Sequence, residues 1–335
     1  MRTNILVEVL TWIPFHFICD DETLICTRNN DVARGMVELA IADAKRHPDY
    51  ALYRLGAALH SFADTWAHHG FSGIAHEMNS VWLSFDQASP GDAVTSHSLW
   101  DAGVEKSHYT WIGHTCLLSY PDYPWNDLHY WLRVYNDDGS STDHKIHRGK
   151  NYESFMGAAL ECYRYLLAYR GASESNHAFS KDQHDALLKT LMFKTKTDEN
   201  SYDEALNHFY DEMNKGVFGP ELAKGPNGVE NFVRYDEGKK YFHQIGYAKK
   251  KSGAGEEGEE NNTDEITSEK AGASVGQALV QYWTFNIKWG EGFYDGDFYK
   301  FCEATKQQRD DVARLLRDRG IYCCGTYGGP HSGGA

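Results

Sequence analysis

The sequence predicts an all-α fold, a multi-helix bundle with long loops, on three observations. Apolar residues recur at three- and four-residue spacing in segment after segment. Capping and stop residues bracket those segments. Strand-type alternation is confined to fragments such as 104–111. Length agrees, because 335 residues at 41% hydrophobic content can bury a substantial core.

Segment 30–47 places Val32, Gly35, Met36, Leu39, Ala40 and Ala44 on one stripe, with Asn30 or Asp31 positioned to cap it. A second helix starts near Pro48 and Asp49, aligns Leu52, Leu55, Leu59, Phe62 and Trp66, and stops at Gly70. Small residues and histidines fill the positions between, so burial on more than one face is expected. Shorter helical pieces at 74–85 and 99–118 follow, separated by Ser89-Pro90-Gly91-Asp92. The run Tyr120-Pro121-Asp122-Tyr123-Pro124-Trp125 contains two prolines that forbid regular helix, and it reads as a packing loop rather than a substrate wall. Helical patterns resume at 152–169, 181–193, 202–215, 229–249 and 297–319. Four regions result: a main helical metal-binding domain at 1–250, a mobile acidic loop at 251–270, a C-terminal helical extension at 271–324 packed on the main domain, and a disordered glycine-rich tail at 325–335.

Charge and cysteine usage exclude several classes. Lys and Arg number 33 against 48 Asp and Glu, a formal charge of −15 spread along the chain. Duplex nucleic acid and an anionic membrane surface are therefore poor non-specific partners. The best apolar run, 5–19, is broken by Glu8, Pro14 and His16 and falls short of the roughly 20 residues a spanning helix needs, so the chain is not expected to be transmembrane. The N-terminal stretch lacks the pattern of a secretory signal, which makes the cytoplasm the default location and leaves a non-classical export route open. Seven cysteines with no CxxC pair argue against a disulfide framework and a thiolate zinc site. The 17 histidines and 14% aromatic content point instead to imidazole chemistry in an aromatic-walled pocket, with Trp66, Phe71 and Trp111 as candidate walls.

The chemistry concentrates in residues 55–73. His60, Asp64 and His68 stand four residues apart in succession, so on one helix they share a face. A rise of about 1.5 Å per residue separates His60 from His68 by roughly 12 Å, too far for one zinc with bonds of about 2 Å. The spacing suits a polynuclear site in which Asp64 bridges two ions about 3.5–4 Å apart and each histidine serves a different ion. Asp64 is thus the candidate catalytic carboxylate as well as a ligand. Further candidate ligands are His97 with Asp101, again four apart, and the single imidazoles His16 and His114 in apolar settings. His69, His76 and His108 are less well placed. Against these readings, a lone histidine on an apolar face is commonly a hydrogen-bonded core residue, and His97 with Asp101 could be a helix-surface pair. For Asp64 the bland reading is costly, since an unpaired carboxylate in an apolar helix has no compensation.

The pattern Leu55-Gly56-x-x-Leu59-His60-x-x-Ala63-Asp64-x-x-x-His68 resembles the ligand helix of the zinc-dependent phospholipase C family, in the form found in the N-terminal domain of glycosylphosphatidylinositol-specific phospholipase D. The longer form His60-x-x-x-Asp64-Thr65-x-x-His68-x-Gly70-Phe71-Ser72-Gly73, with Ile13-Pro14-Phe15-His16-Phe17, is similar to a bacterial family of unknown function, and this second match is the closer. The first resemblance implies an all-α fold with two or three zinc ions in a cleft, His60 and His68 as zinc ligands and Asp64 as a bridging carboxylate. It aligns His97 and Asp101 with a later His-x-x-x-Glu pair, with Asp in place of Glu. It aligns His16 with an early histidine and leaves Asp20, Asp21 and Asp31 as alternatives for an N-terminal aspartate. The resemblance spans about the first 170 residues.

The leading functional expectation is a metal-dependent phosphodiesterase of the phospholipase C type, in which clustered zinc activates water on a phosphate ester such as a phospholipid. A zinc-dependent single-strand nuclease and a non-catalytic helical module with a vestigial metal site are the alternatives.

Overall fold

The computed structural model describes residues 11–76, 79, 81–83, 111–117, 120–135, 140–193, 201–218, 295 and 297–322. Among them are seven helices: α1 (Ile13–Phe15), α2 (Asp31–Ala44), α3 (Ala51–Ala67), α4 (Asn151–Tyr169), α5 (Lys181–Leu191), α6 (Ser201–Asn214) and α7 (Asp297–Asp318). Helix dominates the described residues, in keeping with an all-α class. None of these helices is long and apolar enough to cross a membrane. The chain forms two compact units, Met1–Phe232 with Gln307–Ala335, and Val233–Lys306. The second is described only at residue 295 and along the first turns of α7. All contacts discussed below lie within the first.

Local sequence explains the helix limits. Asn30 caps α2 by accepting a hydrogen bond from the Ala33 amide at 2.9 Å. Ser180 and Gln183 form a reciprocal capping box at the start of α5. Helix α3 follows a single 3-10 turn at Pro48–Tyr50, and Gly70, with φ +89°, turns the chain shortly after its end. Of the expected stripe on α3, Leu55, Phe62 and Trp66 are buried with Ala51, Arg54 and Ala58, whereas Leu52 is 68% exposed.

Two small antiparallel sheets accompany the helices. Strands β1 (Ala75–His76) and β3 (Trp111–Ile112) pair with each other. Strands β2 (Val81–Leu83), β4 (Asp127–Tyr135) and β5 (Ser141–Lys150) form a sheet in the order β2-β4-β5. Segment 74–85, expected as helix, therefore holds strands where it is described. Asn79 gives the reason: its side chain accepts from the Ser72 amide at 2.9 Å and donates to the Ser72 and Ile74 carbonyls at 2.9 Å each, taking backbone groups that a helix would use. Segment 99–118 likewise ends in β3 and a 3-10 turn at Thr115–Leu117, its earlier part lying outside the described residues. Segments 229–249, 251–270 and 325–335 also lie outside them, as do residues 271–294 of the expected C-terminal extension.

Two apolar clusters organise the first unit. The larger joins α2 (Val32, Met36, Val37, Ala40), α3 (Leu55, Ala58, Phe62, Trp66), Ala158 of α4 and Val312, Ala313 and Leu316 of α7. The smaller joins Phe17, Cys26 and Phe71 to Val81, Leu117, Leu128 and Tyr130 beneath the three-stranded sheet. Between the helices of the larger cluster lies a buried ion triad. Arg54 of α3, 2% exposed, sits with Nη1 2.8 Å from Asp43 of α2 and with Nη2 hydrogen-bonded to Asp311 of α7. Gln307 extends the lattice, donating to Asp43 at 2.8 Å and accepting from Tyr50 at 3.1 Å, and Gln308 donates to Ser61 at 2.8 Å. One guanidinium thus locks three helices in register.

Deleting that guanidinium takes the buried counter-charge from two largely buried carboxylates, leaving Asp43 with Gln307 and the exposed Arg46 and Asp311 with the exposed Arg314, which costs more than the pair itself contributes. Arg54→Met is expected to lower unfolding free energy by about 3–5 kcal/mol in urea denaturation. A loss under about 1 kcal/mol would show the triad to be dispensable.

Candidate metal centre

Helix α3 presents its apolar side to the larger cluster and aims His60 and Asp64 the other way. The helix ends at Ala67, and His68 is its C-cap, with its amide donating to the Asp64 carbonyl at 2.7 Å. The three residues therefore stay on one side although the last has left regular helix.

Other segments converge on this side. Pro14 opens α1, and the backbone amides of His16 and Phe17 both return to the Trp12 carbonyl at 2.9 Å, a tight turn that sets His16 against α3. His16 Nδ1 lies 2.9 Å from Asp64 Oδ2, and His60 Nε2 lies 3.4 Å from the same oxygen. His114 arrives after Gly113, whose φ is +56° and whose amide donates to the Ser72 carbonyl at 2.8 Å. A β-carbon at Gly113 would stand 2.0 Å from the Phe17 ring, so only glycine fits. Asp122 comes from the 3-10 turn Tyr120–Asp122. Its Oδ1 is 3.3 Å from His68 Nε2 and 3.5 Å from His114 Nε2.

Two groups result: His16, His60 and Asp64, and His68, His114 and Asp122, with donor atoms in each within 4.8 Å of one another. The two groups adjoin where Asp64 Oδ2 stands 3.8 Å from His68 Nδ1, the ring nitrogen other than the one that meets Asp122. Aromatic rings brace the histidines. Phe17 stacks on His68 with centroids 4.6 Å apart, and Phe71 meets His114 edge-on at 5.8 Å.

The donor set fits a divalent cation such as zinc. Tetrahedral bonds of about 2.0–2.1 Å place neighbouring donors about 3.3–3.4 Å apart. The separations of 3.3, 3.4 and 3.5 Å match that edge, whereas His16 and Asp64, 2.9 Å apart, stand at hydrogen-bond distance. His68 adds a tautomer argument. Its Nδ1 donates to the His16 carbonyl at 2.5 Å, which turns Nε2 toward Asp122 and His114. Donation of the far ring N–H to a backbone carbonyl is the usual support of a metal-bound histidine. Among the described residues each group has three donors and an exposed member, His60 at 60% and Asp122 at 42% of the side chain, which leaves room for a further ligand.

Electrostatics point the same way. Burial opposes charging of His68, but the Asp122 hydrogen bond, the Asp64 charge, the His16 carbonyl and the Asp122 charge together outweigh it, so its pKa is raised above 6.5. The carboxylates around the ring thus favour positive charge on His68. A cysteine nucleophile is disfavoured at Cys162, where burial chiefly pushes the thiol up to about 12.

Of the residues expected from sequence, His16, His60, Asp64, His68 and His114 come together here, whereas His97 and Asp101 lie outside the described residues. Asp20, Asp21 and Asp31 are engaged elsewhere, with Thr27, with Thr23, and with Arg34 and Arg319. Trp66 is 7% exposed and packs on Phe62 in the larger cluster, so it is not a cleft wall, and Phe71 is fully buried behind His114. Asp122 was missed by sequence reasoning, since nothing in its proline-bounded run distinguishes it from a turn aspartate.

The chain belongs to a family of unknown function, DUF6765, whose model matches residues 3–316. No curated protein and no solved structure matches it.

The raised pKa of His68 sets the sign of a pH effect in metal-free protein. Stability gained from its proton is fully present below about pH 6.5 and is lost as pH rises through the higher folded value. Chelator-treated protein is expected to melt at lower temperature near pH 8 than near pH 6, with a smaller difference in His68→Asn, as read by circular dichroism. Equal pH dependence in both proteins would remove His68 as the cause.

Proposed function

We propose that this member of the family is a metal-dependent phosphodiesterase of the phospholipase C type, with His16, His60 and Asp64 holding one divalent ion and His68, His114 and Asp122 a second. The observation that carries the reading is the pair of adjacent two-histidine, one-carboxylate groups, which adjoin where Asp64 Oδ2 comes within 3.8 Å of the His68 ring. The resemblance of 55–73 to the ligand helix of the zinc-dependent phospholipase C family agrees with it.

When bound, paired divalent ions polarise phosphoryl oxygens and bring the pKa of water toward neutrality. The chain's own residues supply position and charge. Asp64 and Asp122 contribute two negative charges against four positive ones, so the loaded site retains net positive charge for an anionic phosphate ester. Exposure of His60 and Asp122 leaves the outer side accessible to substrate, and Phe17 and Phe71 wall off the inner side. Among the described residues each group has three donors with one of them exposed, an arrangement that suits a site keeping a position open.

Zinc-loaded protein is expected to hydrolyse bis(p-nitrophenyl) phosphate, with chelator removing the activity and Asp64→Asn lowering kcat/KM by about 100-fold or more. Turnover no greater than a zinc blank, or an Asp64→Asn variant as active as the parent, would overturn the assignment. Release of diglyceride from phosphatidylcholine without release of nucleotides from single-stranded DNA would place the enzyme on the phospholipase side.

A further inference from the structure

The second ion's carboxylate stands on a weak support. Asp122 closes a 3-10 turn of three residues, Tyr120–Asp122, and its side chain is 42% exposed. A short turn of this kind does not hold a side chain to the few tenths of an ångström that metal coordination requires. Something outside the turn must fix it.

Asn151, the first residue of α4, is 1% exposed and lies under the turn. Its Nδ2 lies 3.2 Å from the Tyr120 carbonyl, 3.2 Å from that of Pro121 and 3.0 Å from that of Tyr123, so its two amide hydrogens are shared among carbonyls on both sides of Asp122. Its backbone amide donates to the Asn126 carbonyl at 2.9 Å, and Asn126 Nδ2 returns to the Tyr120 carbonyl at 3.2 Å. Lys150, the N-cap of α4, makes no side-chain capping bond, so the ligand loop itself receives one of the helix's orphan donors. Losing the buried donor removes one bond from each of three carbonyls, of which Tyr120 and Tyr123 keep a bond from Asn126.

We infer that Asn151 is a positioning residue for the second metal ion, holding the Tyr120–Asp122 turn so that the Asp122 carboxylate meets His68 and His114. It acts through Asp122 and touches neither ion nor substrate. The inference rests on the two-ion reading above, but its consequence is selective: loss of the Asn151 donor weakens the second site and leaves the His16, His60 and Asp64 site as it was.

Titration of metal-free protein with cobalt(II), followed by visible absorption and calorimetry, reads both sites, and Asp122→Asn identifies which ion is the second. Asn151→Asp keeps the shape but turns an acceptor toward the carbonyls. It is expected to weaken the second ion by about 10–100-fold, with the first ion within about twofold of wild type. If Asn151→Asp does not fold, Asn126→Ala removes one bond to the same turn and is expected to give a smaller loss, about 3–10-fold, with the same selectivity. Unchanged affinity for both ions, or parallel weakening of both, overturns the positioning role. Wild-type protein that takes up no second ion overturns the two-ion reading along with it.

Discussion

Helix α3 has to satisfy opposite demands on its two sides, and the architecture follows from that constraint. One side must be buried deeply enough to keep the rod rigid, while the other must hold imidazoles and a carboxylate at fixed separations. Arg54 reconciles the two, because its guanidinium is buried only where Asp43 and Asp311 both reach it, and that condition sets α2, α3 and α7 together. Gln308 then carries the restraint toward the site, through Ser61 on α3 and more weakly through the Pro14 carbonyl just before His16. A salt-bridged core is not the most stable way to pack three helices, but it is directional, and that direction fixes the side on which His60 and Asp64 emerge.

The site is built across the boundary of the two apolar clusters. Phe17 and Phe71 belong to the smaller cluster beneath the sheet and press on His68 and His114, whereas His60 and Asp64 are carried by the helix of the larger one. Aromatic packing here restricts ring rotation instead of forming a substrate wall. Gly113 makes the arrangement possible, since any side chain there would collide with the Phe17 ring that orients His68. Each imidazole is thus held by contacts on its faces or by its far nitrogen, leaving one nitrogen to point at a carboxylate.

The legibility of the sequence varied with the range of the interaction. Helices α2, α3, α5 and α7 follow from periodicity and caps such as Asn30 and Ser180, all of which act within a few residues. Strand β4 alternates Leu128, Tyr130, Leu132 and Val134 with polar or aromatic neighbours, so its signal was present, but its partner β5 offers only Ile146 as a strong apolar residue on the matching face. A register shift between Leu128 and His129 further blurs the alternation. Asn79 shows a different obscurity: one amide side chain outcompeted local propensity by bonding backbone groups at Ser72 and Ile74. Similarly, neither Asp122 nor Asn151 has a local signature, because the role of each depends on a partner some thirty to fifty positions away.

By itself the sequence determined the helical class and the side of α3 on which His60, Asp64 and His68 lie, because a 3.6-residue period converts spacing directly into direction. Tertiary structure alone decided how these donors divide, with His16 joining His60 and Asp64, and Asp122 joining His68 and His114. That division depends on where turns at Gly113 and Tyr120–Asp122 come to rest, and those positions are set by packing and buried hydrogen bonds between segments distant in the chain, which no local period encodes.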